Sequence, residues 1–186
     1  ETILGGDFFL NQGGKGANQA VTVARLKGEV NFICKTGNDL FREQSLNLFK
    51  EEGMNTEWIL TDEEKPSGIA LIMVDEEGEN SIVVASGANG NLNREDIDQV
   101  VHVLDRSEYV LLQLEIPLDT VEYVIHLASQ KQKKVILNPA PASELPETLF
   151  GKLYMVTPNR IEAEHLSGMK ITDTRPLENA AKRLQD

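Results

Sequence analysis

The run Gly13-Gly14-Lys15-Gly16-Ala17-Asn18-Gln19-Ala20 sets dense glycine directly before an alanine-rich helical pattern, with a lysine and an amide at the junction. Glycine lacks Cβ, so the main chain there can approach a small polar molecule closely. The first turn of the helix that follows carries unpaired N–H groups and a partial positive charge. Sugar hydroxyls or phosphate oxygens suit such a place. A helix start that needs only a cap takes Ser, Thr, Asp or Asn, and glycine is disfavoured inside helices, so this run reads as ligand-facing. Two nucleotide motifs are excluded. A Walker A loop needs Ser or Thr after the lysine, where Gly16 stands, and the dinucleotide fingerprint needs a third glycine, where Gln19 stands.

Three further stretches end apolar runs in polar residues: Leu112-Gln113-Leu114-Glu115, Val135-Ile136-Leu137-Asn138 and Met155-Val156-Thr157-Pro158-Asn159. A carboxylate such as Glu115 at a strand end can accept two hydrogen bonds from neighbouring hydroxyls. Asn138, followed by Pro139 and Pro141, reads equally as a binding group and as a turn residue. Asn159 and Glu162, three apart at a helix start, fit a cap and its supporting acid. His102, His126 and His165 show no metal-ligand spacing to each other or to Cys34, and read as packing or surface residues. No Gly-x-Ser-x-Gly elbow occurs, and the acidic run Asp75 to Glu79 reads as a solvated hairpin tip.

The elements that must position these residues follow from hydrophobic spacing. Helices are expected over about Lys15 to Leu26, from a cap at Asp39 to a stop at Gly53, over Arg94 to Leu104, over Leu118 to Gln130 and through Ile161 to Leu166. Strands are expected at Val30 to Lys35, Tyr109 to Leu114, Val135 to Leu137 and Leu153 to Val156. Gly68 to Val74 and Ser81 to Ala85 flank the acidic turn as a hairpin. With the segment from Thr2 to Leu10 they are expected to form a small antiparallel sheet, a lid or a subunit-docking face. Strands alternating with helices imply an α/β fold with a mostly parallel sheet, whose ligands collect beyond the carboxyl ends of the strands.

The 186 residues suit one main domain, and a net charge of −12 from 18 basic and 30 acidic residues argues against nucleic acid or an anionic membrane as partner. The lone Cys34, in an apolar run, reads as a buried small hydrophobe, and a reducing cytoplasm fits. No apolar run reaches membrane-spanning length. With no initiator methionine and a helical pattern still running at Asp186, the chain reads as a piece of a longer protein.

The motif from Gly13 to Val21 resembles the first signature of the ribokinase-like, phosphofructokinase-B-type carbohydrate kinases. The resemblance continues through Lys35-Thr36-Gly37-Asn38-Asp39, Glu79-Asn80-Ser81-Ile82, Ser86-Gly87-Ala88-Asn89, Leu112 to Glu115, Asn138 to Ala142 and Thr157 to Glu164, so it covers nearly the whole chain. It implies a three-layer ribokinase-like fold with a mostly parallel central sheet and a β-sheet lid, its strands within residues 1–12 and 66–86. It implies ATP-dependent phosphorylation of the D-ribose 5-hydroxyl with magnesium, and a homodimer formed through the lid. Gly14, Lys15, Gly16, Ala17, Asn18 and Glu115 would bind the sugar, Asn159 would contact ATP, and Glu162 would act on magnesium through water.

The family's first strand, with an Asn and an Asp that grip the sugar, is expected before Glu1. Its Asp-Thr-x-Gly-Ala-Gly-Asp segment, with the anion hole and the base aspartate, is expected after Asp186, as is the activating potassium site. No catalytic residue is therefore expected within residues 1–186, and the segment alone is expected to be inactive. A kinase for another sugar or nucleoside, and a non-catalytic sugar-binding or assembly fragment, are the alternative readings.

Overall fold

A computed structural model describes residues 7–75 and 77–185. Its first helix, α1 (Lys15–Arg25), begins at the glycine run, with Gly14 in the cap position and no side-chain cap. Its small face, Ala17, Ala20, Val21 and Ala24, lets Phe49, Met54 and Ile59 close in. Phe49 lies on α2 (Leu40–Glu51), whose N-cap Asp39 accepts a hydrogen bond from the Arg42 N–H at 3.0 Å. Strand β1 (Cys34–Gly37) starts four residues later than expected, the stretch before it contributing only an isolated bridge from Asn31 to Asn55. Burial pushes the Cys34 thiol up to about 12, with the Arg42 charge opposing, which keeps it protonated and inert. Beside β1 runs β2 (Ile59–Asp62), parallel and unanticipated, in register from Cys34 opposite Ile59 to Gly37 opposite Asp62.

The hairpin β3 (Ile69–Val74) and β4 (Asn80–Ala85) pairs antiparallel, and both of its faces are exposed. Asp75 Oδ1 shapes its turn by accepting from the Glu77 and Glu79 N–H groups at 3.0 and 2.9 Å. Residues 7–12 are not in a strand, so the described part of the expected opening segment does not extend this sheet; residues 1–6 lie outside the described ones. A hydrogen-bonded clasp roots the hairpin. Asp39 accepts from the Ser67 N–H at 2.7 Å and the Ser67 hydroxyl at 2.8 Å, while Ser67 Oγ accepts from the Gly37 N–H at 3.0 Å. Burial pushes the Asp39 carboxyl up, but the bonds from Ser67, Arg42 and Phe41 together hold it below its ordinary value. A 3-10 turn (Gly87–Asn91) leaves the hairpin against this clasp, with the Ala88 N–H donating to the Pro66 carbonyl at 2.7 Å.

The expected helix from Arg94 to Leu104 is two helices, α3 (Arg94–Val100) and α4 (Val103–Arg106). Bonds from Leu104 N–H to Val101 and from Asp105 N–H to His102 span three residues, and this tightened turn puts Val100, Val103 and Leu104 all inside. Next come β5 (Tyr109–Leu112), α5 (Leu118–Gln130), β6 (Lys134–Leu137), α6 (Glu147–Phe150), β7 (Met155–Val156), α7 (Arg160–Ser167) and α8 (Thr174–Gln185). Strands β5, β6 and β7 lie side by side in that order, all parallel. The apolar stripe of α5, Val121, Val124, Ile125 and Ala128, buries against Leu112, Val135 and Leu137. Each large side chain removed from water there contributes about 1.5–3 kcal/mol.

The parallel strands form two ladders, β1–β2 and β5–β6–β7, with no ladder pairing between them among the described residues. Packing joins them, since Ile33 and Leu60 lie against the α5 core. Among the described residues no helix is long and apolar enough to cross a membrane.

Candidate functional site

Parallel order puts the carboxyl ends of β5, β6 and β7 on one edge, so Glu115, Asn138 and Thr157 follow neighbouring strands. Glu115 lies past the last ladder pair, Leu112 opposite Leu137. There its Oε2 accepts a hydrogen bond from the Lys15 backbone N–H at 2.6 Å, across 100 residues of sequence. A carboxylate facing the first turn of a helix meets the unpaired N–H groups and the positive end of the dipole together. Glu115 is half-buried, and its Oε1 makes no hydrogen bond among the described residues. It remains an acceptor with capacity for a ligand hydroxyl.

Gly14 has φ of 96°, and a Cβ built on it would lie 3.8 Å from Glu115 Oε2. There is room for a side chain; glycine is required by the backbone conformation. At Gly16 the constraint is contact, because a Cβ would fall 2.8 Å from Gln113 Oε1 and 3.5 Å from the Phe32 ring. The Gln113 amide donates to Gln19 Oε1, a second tie between the end of β5 and α1. On the outer side of α1, Asn18, Gln19, Thr22 and Val23 face Leu111, Ile136, Asn138 and Thr157 across an open groove of about 370 Å³. The structure thus brings Gly14, Lys15 and Gly16 to Glu115 and its neighbour Gln113, and sets Asn18 on a groove with Asn138. Ala17 faces the α1–α2 core.

Asn159 and Glu162 form a complete capping box at the start of α7. Asn159 Oδ1 accepts from the Glu162 N–H at 2.9 Å, Glu162 Oε2 accepts from the Asn159 N–H at 2.9 Å, and Glu162 Oε1 accepts from Asn159 Nδ2 at 2.7 Å. Both carboxylate oxygens are engaged and Glu162 is only 7% exposed. Among the described residues no three His, Cys, Asp or Glu side chains cluster to hold a metal. With both of its oxygens engaged in the cap, Glu162 would reach a magnesium ion through water rather than by direct ligation. His102 packs edge-on against Trp58 with ring centres 5.0 Å apart, while His126 and His165 are exposed.

Asn89 was not singled out from sequence as a site residue, yet its Nδ2 donates to the Glu115 carbonyl at 3.0 Å. A Gly-Ala-Asn after a strand signals a turn, but a partner 26 residues away leaves no local trace.

The family described as pfkB family carbohydrate kinase matches residues 1–186. A ribokinase of Haemophilus influenzae is 40% identical over 186 residues, 100% of this chain and 61% of the relative. A deoxyribokinase of Salmonella typhi is 36% identical over 187 residues, again 100% of this chain and 61% of the relative. The structure of Arabidopsis thaliana ribokinase complexed with ribose and ATP superimposes with a TM-score of 0.82 at 25% identity, over 93% of this chain and 57% of that one. The α/β architecture is therefore ribokinase-like, and the chain spans about three-fifths of the length of these relatives, 61% and 57%.

Proposed function

We propose, since the chain belongs to the pfkB family of carbohydrate kinases, that the complete protein transfers the γ-phosphoryl group of ATP to the 5-hydroxyl of D-ribose. The hydroxyl oxygen forms a bond to the γ-phosphorus as the bond to the bridging oxygen of ADP breaks, and the hydroxyl proton leaves to a base. The observation that carries this reading is the 2.6 Å bond between Lys15 N–H and Glu115 Oε2, which assembles a glycine-lined helix start and a carboxylate into one polyol-sized acceptor and donor set. In it, Lys15 and Asn18 donate to sugar oxygens, Gly14, Gly16 and Ala17 let the main chain come close, and Glu115 accepts from hydroxyls. The roles at ATP rest on the resemblance: Asn159 beside the nucleotide, Glu162 acting on magnesium through water. Magnesium supplies charge neutralisation of the phosphates when bound. The Asp-Thr-x-Gly-Ala-Gly-Asp segment that would supply the base does not occur in residues 1–186, and the proposed potassium site belongs with it.

Phosphorylation of 2-deoxyribose is the second reading, favoured by the 36% identity to a deoxyribokinase. In the complete enzyme, Lys15→Ala or Asn18→Ala should raise the ribose KM roughly tenfold, the effect of losing a hydrogen bond to a polar ligand, with little change in thermal stability. Steady-state kinetics on ribose and 2-deoxyribose read both points. Unchanged KM values with lowered stability would make the run structural.

The hairpin is the proposed lid and the proposed dimer contact. Leu71, Met73, Ile82 and Val84 are each more than half exposed, at 56, 60, 56 and 64%, and a two-stranded sheet is too thin to bury either face alone. Leu71→Asp should therefore yield a monomer in sedimentation at concentrations where the unaltered enzyme is a dimer; an undisturbed dimer would move the interface elsewhere. The net charge of −12 supports a protein without nucleic-acid or anionic-membrane partners, and the lone Cys34 fits a reducing cytoplasm.

A further inference from the structure

We infer that Asn89 is a positioning residue, its side-chain amide holding the Glu115 main chain so that the Glu115 carboxylate meets α1; the inference rests on the reading of Glu115 as the sugar-binding acid. Glu115 lies beyond the ladder that fixes β5 to β6, which ends at Leu112 opposite Leu137. Past that point the neighbouring Leu114 N–H still donates to the Ala140 carbonyl at 2.9 Å, and the Glu115 carbonyl accepts from Asn89 Nδ2 at 3.0 Å. A displacement of this main chain by an ångström would pull Oε2 off the Lys15 N–H and misplace the carboxylate against a bound hydroxyl.

The orientation of the Asn89 amide is dictated by that bond. Only the NH₂ group can face a carbonyl, since Oδ1 in its place would set two acceptors together. Oδ1 is buried and has no hydrogen-bond partner among the described residues. A buried acceptor without a partner is costly, and a turn serving packing alone would not need an amide here. The cost is consistent with a side chain kept for what its other end holds.

Asn89 is also well placed to be a fixed support. It lies in the 3-10 turn whose Ala88 is fully buried and bonded through its N–H to the Pro66 carbonyl at 2.7 Å. Two residues on, Asn91 Nδ2 donates to Asp62 Oδ2 at 3.0 Å. The turn is thus pinned on both sides of Asn89, to the hairpin stem and to the end of β2. A donor carried by so constrained a backbone holds its partner in one place.

The test uses the complete enzyme, with D-ribose and ATP as ligands, in a double-mutant cycle between Asn89→Ala and Glu115→Gln. Asn89→Ala is expected to raise the ribose KM roughly three- to tenfold with the ATP KM within about twofold. In the Glu115→Gln background it is expected to add little, because a residue acting through Glu115 has no more to lose there. An Asn89→Ala enzyme with unaltered ribose KM, or one whose loss multiplies fully with that of Glu115→Gln, would overturn the positioning role. If Asn89→Ala does not fold, Asn89→Asp, which keeps the shape and removes the donor, carries the same outcomes. A Glu115→Gln enzyme with unaltered ribose KM would instead overturn the sugar-site reading, and this role with it.

Discussion

Glu115→Gln in the complete enzyme should weaken D-ribose binding by roughly ten- to a hundredfold while leaving ATP binding within about twofold. Glutamine keeps the volume of the side chain and loses its charge. One oxygen of Glu115 is committed to the Lys15 N–H at 2.6 Å, and the other has no hydrogen-bond partner among the described residues. Glutamine has one acceptor atom, and if it serves Lys15 the NH₂ group faces the ligand, offering a donor where a hydroxyl requires an acceptor. If the amide turns over, α1 loses its tie and the NH₂ group opposes a main-chain N–H. Either way a charge-assisted bond is lost, an effect of about 1.5–3 kcal/mol. Calorimetric titration with each ligand separately decides it, and equal weakening of both ligands, or of neither, would contradict the assignment.

Legibility followed the range of the forces. Helix α5 runs from Leu118 to Gln130 as its apolar spacing predicts, because Val121, Val124, Ile125 and Ala128 declare one buried face within a single element. The hairpin is legible for the same reason, two apolar runs about an acidic turn. Strand β2 was not, since four residues from Ile59 to Asp62 are too few to show a period and are held by pairing with β1. The split between α3 and α4 depends on how Val103 and Leu104 pack, which no propensity within Arg94 to Arg106 reveals.

At the site the pattern repeats. Glu115 was identifiable as a candidate because ligands gather beyond strand ends, and the glycine run because a helix start has no other use for it. Their contact, spanning 100 residues, required the fold. Asn159 and Glu162 were readable as a cap from their spacing alone, and the capping box they make accounts for every side-chain polar atom of the pair. The hold of Asn89 on Glu115 is a side chain reaching a main-chain carbonyl from another element, a contact invisible to any spacing rule.

The largest effect on stability is expected at the hairpin base, where Gly87→Ala should destabilise the protein by about 3–5 kcal/mol. Gly87 has φ of +53°, and a Cβ built there would lie 2.3 Å from the Pro66 carbonyl oxygen and 2.8 Å from the Gly68 N. These neighbours are backbone, so no side chain can swing aside. The left-handed conformation alone costs an alanine roughly 1–2 kcal/mol. Separating the stems also strains the 2.7 Å bond from Ala88 N–H to Pro66, a further effect of about 1 kcal/mol. Gly78→Ala is the control, because Gly78 shares the positive φ, at +83°, but has nothing within 4 Å of its would-be Cβ. It should lose only the conformational part, about 1–2 kcal/mol. In thermal unfolding of the complete protein, Gly87→Ala should fall roughly 6–20 °C, well below Gly78→Ala. Equal losses for the two variants would mean that backbone conformation alone sets the cost and that the stems are not packed as closely as the clasp of Asp39, Ser67 and Pro66 requires.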